Sequence, residues 1–226
     1  MTDVIYLCAG QGVRAKLGYP KQLAMLCGKP IMVYALEVFN DMPEISRIVI
    51  TLPPGDPESA TAIRSIAESY KIDKAVYVDG GATRQLSVCS ALNEVKTPDV
   101  LIHEAVRPFI TAAFVRDILS HTEYAVSPWR PNTSTTICLS GLCFDRTHYG
   151  EVQMPQKYNT YLLRRAHDRA VEHKVTGYTD DAALVVIEVC KEILVVPGLE
   201  ENIKITTPLD LKIAEAIHNA KFSNGE

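Results

Sequence analysis

Short apolar runs rich in Val and Ile recur along this chain and alternate with amphipathic stretches of helical length. That alternation restricts the fold more than any other feature. Val4–Leu7, Arg47–Thr51, Ala75–Val78, Val100–His103, Tyr124–Val126 and Ile193–Val196 read as strands. Pro30–Asn40, Glu58–Tyr70, Thr83–Val95, Thr111–His121, Thr160–His173, Thr179–Val189 and Thr207–Lys221 read as helices, several opening on Ser, Thr, Asp or Pro, which suit a first turn. Strands that are apolar throughout, each followed by a helix, predict a mainly parallel α/β sheet with helices on both faces. At 226 residues the chain is expected to form a single domain over 1–226, with no internal repeat.

From Pro131 to Arg146 the rhythm breaks. Two β-prone runs flank Ser140-Gly141, which predicts a hairpin arm over about 131–146. Ile137, Leu139, Leu142 and Phe144 would be exposed on such an arm unless a second subunit or the parent domain covers them. A net charge of −4 provides no basic footprint for nucleic acid. Val4–Leu7 is too short for a signal peptide and no run approaches membrane-spanning length, so a cytoplasmic address without membrane contact is expected. None of the six cysteines forms a Cys-x-x-Cys pair, which argues against a zinc site.

The first strand leads into Cys8-Ala9-Gly10-Gln11-Gly12-Val13-Arg14, and Pro20-Lys21-Gln22 follows. Glycines let backbone N–H groups approach a phosphate, and Arg14 and Lys21 would neutralise a polyphosphate. The loop lacks both the third glycine of a dinucleotide-binding turn and the Gly-Lys-Ser/Thr ending of a Walker loop.

Further on come Gly80-Gly81-Ala82-Thr83-Arg84-Gln85-Leu86-Ser87-Val88, His103-Glu104-Ala105-Val106-Arg107-Pro108-Phe109, Gln153-Met154-Pro155-Gln156 and Asn202-Ile203-Lys204-Ile205-Thr206-Thr207-Pro208. In this order, over about residues 3–218, these segments resemble the methylerythritol-phosphate cytidylyltransferase family, whose ribitol-phosphate-activating relatives share most of the motifs.

The resemblance implies a Rossmann-like nucleotidyltransferase fold with a projecting β-arm, a homodimer, and a magnesium-dependent reaction. In it, a phosphate oxygen of a small alcohol attacks the α-phosphorus of CTP and pyrophosphate leaves. It also implies site roles. Ala9, Gly10 and Gly12 would cradle the nucleotide, and Arg14 and Lys21 would stabilise the five-coordinate phosphorus. Gly81 and Ser87 would read cytosine with Arg84 supporting the loop. Glu104 would lie at the metal, and Arg107, Arg146 and Lys204 would take the acceptor's phosphate or phosphonate, with Asn132 on the rest of it.

Three positions depart from the family pattern. Glu104 stands in place of Asp, Trp129-Arg130-Pro131-Asn132-Thr133 lacks the Asp-Thr pair, and Met154 replaces Thr. The departures fall on the acceptor side. They leave 2-C-methyl-D-erythritol 4-phosphate as the best single acceptor, beside ribitol 5-phosphate, a hydroxyalkyl phosphonate, or a catalytically weak nucleotide-binding scaffold. His103, Asp180 and Asp181 read as structural residues, the two aspartates as a helix cap, and Trp129 reads either as a border of the acceptor pocket or as a packing residue.

Overall fold

The computed structural model describes residues 1–10, 20–189 and 192–222. Among them, the amino-terminal half comprises β1 (Thr2–Leu7), β2 (Met25–Leu26), β3 (Lys29–Pro30), α1 (Ile31–Asp41), β4 (Ile45–Leu52), α2 (Pro57–Ser69), β5 (Ala75–Asp79), α3 (Arg84–Leu92), β6 (Asp99–Glu104) and α4 (Ala112–Ser120). There follow β7 (Ala125–Pro131), β8 (Thr136–Ile137), β9 (Cys143–Phe144), β10 (Gly150–Val152), β11 (Gln156–Asn159), α5 (Thr160–Glu172), α6 (Asp181–Glu188), β12 (Leu194–Pro197) and α7 (Pro208–Phe222). Helix starts follow side-chain chemistry: Asp56, Thr83, Thr111, Asn159 and Asp180 each accept a first-turn backbone N–H.

The main sheet runs β10-β7-β11-β6-β1-β4-β5, with β12 added on β7. Strand β1 is parallel to β4 and β6, β4 to β5, and β12 to β7. Its apolar strands serve two cores at once. Val4 and Tyr6 of β1, Ile50 of β4 and Leu101 of β6 meet Leu36, Ile63 and Val115 from α1, α2 and α4. Ile5, Val49 and Ile102, on the opposite face, meet Val88, Leu163 and Leu184 from α3, α5 and α6. Side chains alternate across a pleat, so a strand buried on both faces must be apolar at every position.

The other half of the sheet is antiparallel, through β11 on β6 and β7 and β10 on β7. Neither β10 nor β11 was expected from the sequence. Gln156 and Lys157 of β11 are buried, but their polar ends are satisfied: Gln156 donates to Ser127 and Asp180, and the Lys157 ammonium donates to the His121 carbonyl. Hydrogen-bonded burial of this kind leaves no apolar pattern to read.

The arm forms as expected. β8 and β9 pair antiparallel, the Cys138 N–H donates to the Leu142 carbonyl, and Gly141 turns at φ +85°, where a side chain would be strained. Ile137, Leu139 and Leu142 are exposed on it. Among the described residues no helix is long and apolar enough to cross a membrane.

Candidate active site

Leu7, Thr51 and Glu104 lie level with one another across β4, β1 and β6 at the carboxyl ends of three parallel strands. In open α/β sheets that edge is where ligands bind. A cavity of about 690 Å3 opens there, with Ala9, Gly10, Lys21, Arg84, Glu104 and Lys204 in its lining. The loop leaving β1 is held from two sides. Thr51 Oγ1 accepts the N–H groups of Cys8 and Ala9 at 3.0 and 3.3 Å. Gln22 Nε2 donates to the carbonyls of Cys8 and Gly10 at 2.5 and 3.1 Å. Lys21 opens a 3-10 turn, Lys21–Leu23, directly after Pro20. Gly12 and Arg14, both expected at the phosphates, lie outside the described residues.

The second wall is the segment from Gly80 into α3. A Cβ on Gly80 would stand 2.5 Å from Ala9 Cβ, so only glycine permits this approach of the two loops, and one on Gly81 would run into Leu86 of its own segment. Ser87 Oγ accepts the Gly81 N–H at 3.0 Å and donates to the Thr83 carbonyl at 3.0 Å. Its proton is therefore committed to shaping the loop, with Gly81, Ala82 and Ser87 still lining the cavity.

Charge concentrates around the carboxyl end of β6. The strap after β12 docks through the Ile205 N–H on the Val106 carbonyl, which brings Lys204 beside the end of β6. Lys204 Nζ lies 2.7 Å from Glu104 Oε1, Arg107 Nε 3.2 Å from Oε2, and Arg84 Nε 3.6 Å from Oε1. Burial would raise the Glu104 pKa, but the three cations outweigh it and bring it down to about 2. Arg84 is also bound to the buried Asp181 at 2.7 Å. Burial disfavours its charge, but Asp181 and Glu104 more than compensate and hold it firmly protonated. Gln153 keeps the strap in place by receiving the Leu199 N–H and donating to the Leu199 carbonyl.

Glu104, expected at a metal, is the anion that Lys204, Arg107 and Arg84 share. Among the described residues no group of three or more His, Cys, Asp or Glu could hold an ion, but magnesium carried on a triphosphate needs only one or two carboxylates, a part that Glu104 would fit. Two expectations need correction. Arg107 and Lys204 converge, but Arg146 does not join them within one subunit; it donates to the Thr133 carbonyl on the arm, and Asn132 there bonds Thr136 Oγ1. Neither side chain is among the residues that line the cavity. Asp181 is not part of the helix cap: Asp180 alone caps α6, and Asp181 anchors Arg84.

Gln22 and Thr51 carry the glycine loop yet received no role from sequence; the only signal was the Gln closing Pro-Lys-Gln. Trp129 packs under Gly150 instead of lining the cavity.

His103 is structural, as expected. Its Nε2 lies 3.0 Å from the Arg107 carbonyl, which can only accept, so Nε2 carries the proton and Nδ1 is buried without a partner. Burial lowers its pKa to about 4. The folded pKa lies below the unfolded value of about 6.5, so the unfolded chain takes up the proton first as pH falls. His103 therefore contributes stability above about pH 6.5 that is lost progressively down to about pH 4. Thermal unfolding of His103→Gln, which keeps a donor and does not titrate, is expected to show a flatter pH dependence than wild type across that window.

Comparison with known proteins gives this site a context. A family model described as IspD, 2-C-methyl-D-erythritol 4-phosphate cytidylyltransferase, matches residues 2–220. The proteins of that name from Lachnoclostridium phytofermentans and Bacillus mycoides are 34% and 35% identical to the chain, covering 94% and 96% of it and 94% and 97% of their own lengths. The crystal structure of the Thermus thermophilus protein superposes with TM-score 0.75 at 29% identity, covering 96% of this chain and 98% of that one. The Anaerococcus prevotii 4-diphosphocytidyl-2C-methyl-D-erythritol synthase superposes at 0.83 with 24% identity, over 97% and 96%, and supports the fold alone.

Proposed function

The chain belongs to the 2-C-methyl-D-erythritol 4-phosphate cytidylyltransferase family and is a nucleotidyltransferase, and we propose that it transfers CMP from CTP to 2-C-methyl-D-erythritol 4-phosphate, releasing pyrophosphate. The observation that carries the reading is the cavity itself: Gly10, Gly81, Lys21, Glu104 and Lys204 line it together, with Arg107 paired to Glu104. A triphosphate laid along Gly10 and Lys21 leaves the base against Gly81 to Ser87 and the α-phosphorus within reach of both Lys21 and Lys204.

An acceptor phosphate oxygen attacks the α-phosphorus. The bond to the oxygen bridging the α- and β-phosphorus breaks, and pyrophosphate leaves with the electron pair. Little covalent chemistry is asked of the protein; positioning and charge stabilisation suffice. Lys204 spends one of its three donors on Glu104 and keeps two for the acceptor's phosphate. Magnesium, in this reading, arrives on the triphosphate oxygens, as this ion commonly does. A cytoplasmic homodimer joined through the arm completes the proposal; its support is the exposed Ile137, Leu139 and Leu142.

The test is CMP transfer from labelled CTP to 2-C-methyl-D-erythritol 4-phosphate, ribitol 5-phosphate and small hydroxyalkyl phosphonates, in wild type and in Lys204→Ala. The first acceptor is expected to give the highest kcat/KM. Lys204→Ala should raise its KM by about 10- to 100-fold, the loss of one charged hydrogen bond, with the KM for CTP little changed. A higher kcat/KM on another acceptor would replace the substrate. CTP binding without turnover on any would leave a nucleotide-binding scaffold.

A further inference from the structure

The cavity's third wall is the loop between α5 and α6, through Gly177, Tyr178 and Thr179. Both ends of this loop are anchored. At the α5 end Lys174 adopts φ +59° and the Val175 N–H returns to the Ala170 carbonyl, an αL helix stop. At the α6 end Asp180 caps the helix. Between them, Thr176, Gly177 and Tyr178 make no backbone–backbone hydrogen bond among the described residues. What holds the middle comes from side chains. Tyr178 OH donates to Glu188 at 2.8 Å, and Glu188 also meets His173 Nδ1 at 2.8 Å. Among the described residues, the loop's main chain is gripped by one side chain, Gln85 of α3. Gln85 Nε2 donates to the Val175 carbonyl at 2.8 Å, and Gln85 Oε1 accepts the Tyr178 N–H at 3.0 Å.

We propose that Gln85 is a positioning residue that locks the α5–α6 loop to α3, so that the wall facing the base and the wall facing the acceptor act as one rigid frame. The side chain is buried, and both ends of its amide are used. Its orientation is unambiguous, because a carbonyl can only accept and an N–H can only donate. A buried amide that replaces two missing main-chain bonds is costly to remove, since the groups it leaves behind have no other hydrogen-bond partner among the described residues. The frame also has a direction. Arg84, the residue before Gln85, joins Asp181 at the loop's end to Glu104, so the gripped loop stands at the cationic end of the cavity. Loosening it should therefore weaken the hold on the acceptor and spare the nucleotide, whose wall keeps its own bonds through Thr83, Gly81 and Ser87. This assignment of ends rests on the function proposed above; the grip itself does not.

Two measurements test the two parts separately. The first is amide hydrogen exchange at Tyr178 by NMR. In wild type this loop amide is expected to be protected, and in Gln85→Leu, similar in length but unable to hydrogen-bond, to exchange at least about tenfold faster. Exchange at Tyr178 in wild type at the rate of an unbonded loop amide would overturn the proposal without any variant. So would unchanged protection in a folded Gln85→Leu. The second is kinetic. Gln85→Leu is expected to raise the acceptor KM about tenfold, with a smaller change in kcat and CTP affinity by calorimetry nearly that of wild type. Equal losses of CTP and acceptor affinity would mean general loosening and overturn the positioning role. If wild type transfers CMP to no acceptor, the proposed function fails while the exchange result still decides the grip. If Gln85→Leu does not fold, the wild-type exchange rate at Tyr178 decides it alone.

Discussion

Lys21→Ala is expected to lower turnover by about 100- to 1000-fold, the usual cost of removing one preorganised donor from a charge-developing centre. Lys21 sits on the cavity at the start of a 3-10 turn, and its neighbour Gln22 pins the carbonyls of Cys8 and Gly10. That turn fixes the lysine's backbone before any ligand arrives, which leaves only the side chain to be ordered at the moment of reaction. Negative charge grows on the oxygens around the α-phosphorus as the acceptor attacks, and an ammonium placed there binds the transition state more tightly than the ground state. Interactions of that kind appear in the rate and hardly in affinity. Single-turnover rates at saturating CTP, set beside calorimetric CTP binding, give the two quantities separately. A large loss of CTP affinity with turnover intact would reassign Lys21 to phosphate anchoring.

Much of this architecture was legible in advance, and the reason is physical. Strands β1, β4 and β6 are buried on both faces, so Val4-Ile5-Tyr6 and Ile48-Val49-Ile50 must be apolar throughout, which is visible in a sequence. Helices α2 to α6 begin where Asp, Thr or Asn meets an exposed N–H, which is also visible. β11 was not legible, because Gln156 and Lys157 are buried through hydrogen bonds made by residues distant in the chain. The site divides the same way. Glycines and cations in short motifs announced Gly10, Lys21 and Gly81. The partners that hold the site were silent: Thr51 and Gln22 under the glycine loop, Asp181 behind Arg84, Gln85 against the α5–α6 loop. Each is an ordinary polar residue whose role exists only once the fold sets it 2.5–3.3 Å from its target.

Glu104→Gln is expected to destabilise the folded protein by about 2–3 kcal/mol at neutral pH. Removing one member of a buried ion pair typically costs about 3–5 kcal/mol, because the charge left behind is uncompensated. Here three cations are left behind, but Lys204 is 38% exposed, and water screens its share, so a figure below that range is expected. Glu104→Asp, which keeps the charge on a shorter stem, should recover most of the loss. The effect must also depend on pH in a definite sense. The folded pKa of Glu104, about 2, lies below the ordinary value of 4.5, so on acidification the unfolded chain protonates first. The advantage of wild type over Glu104→Gln is complete above about pH 4.5 and disappears as pH falls toward 2. An anion offers a second check. Without Glu104 the cluster of Arg84, Arg107 and Lys204 carries unbalanced positive charge, so pyrophosphate should raise the variant's Tm more than wild type's, through tighter binding to the native state. Chemical unfolding of the three proteins at pH 7 and pH 3, with and without pyrophosphate, measures all of this. A Glu104→Gln protein as stable as wild type at pH 7 would show that the three cations do not depend on this carboxylate.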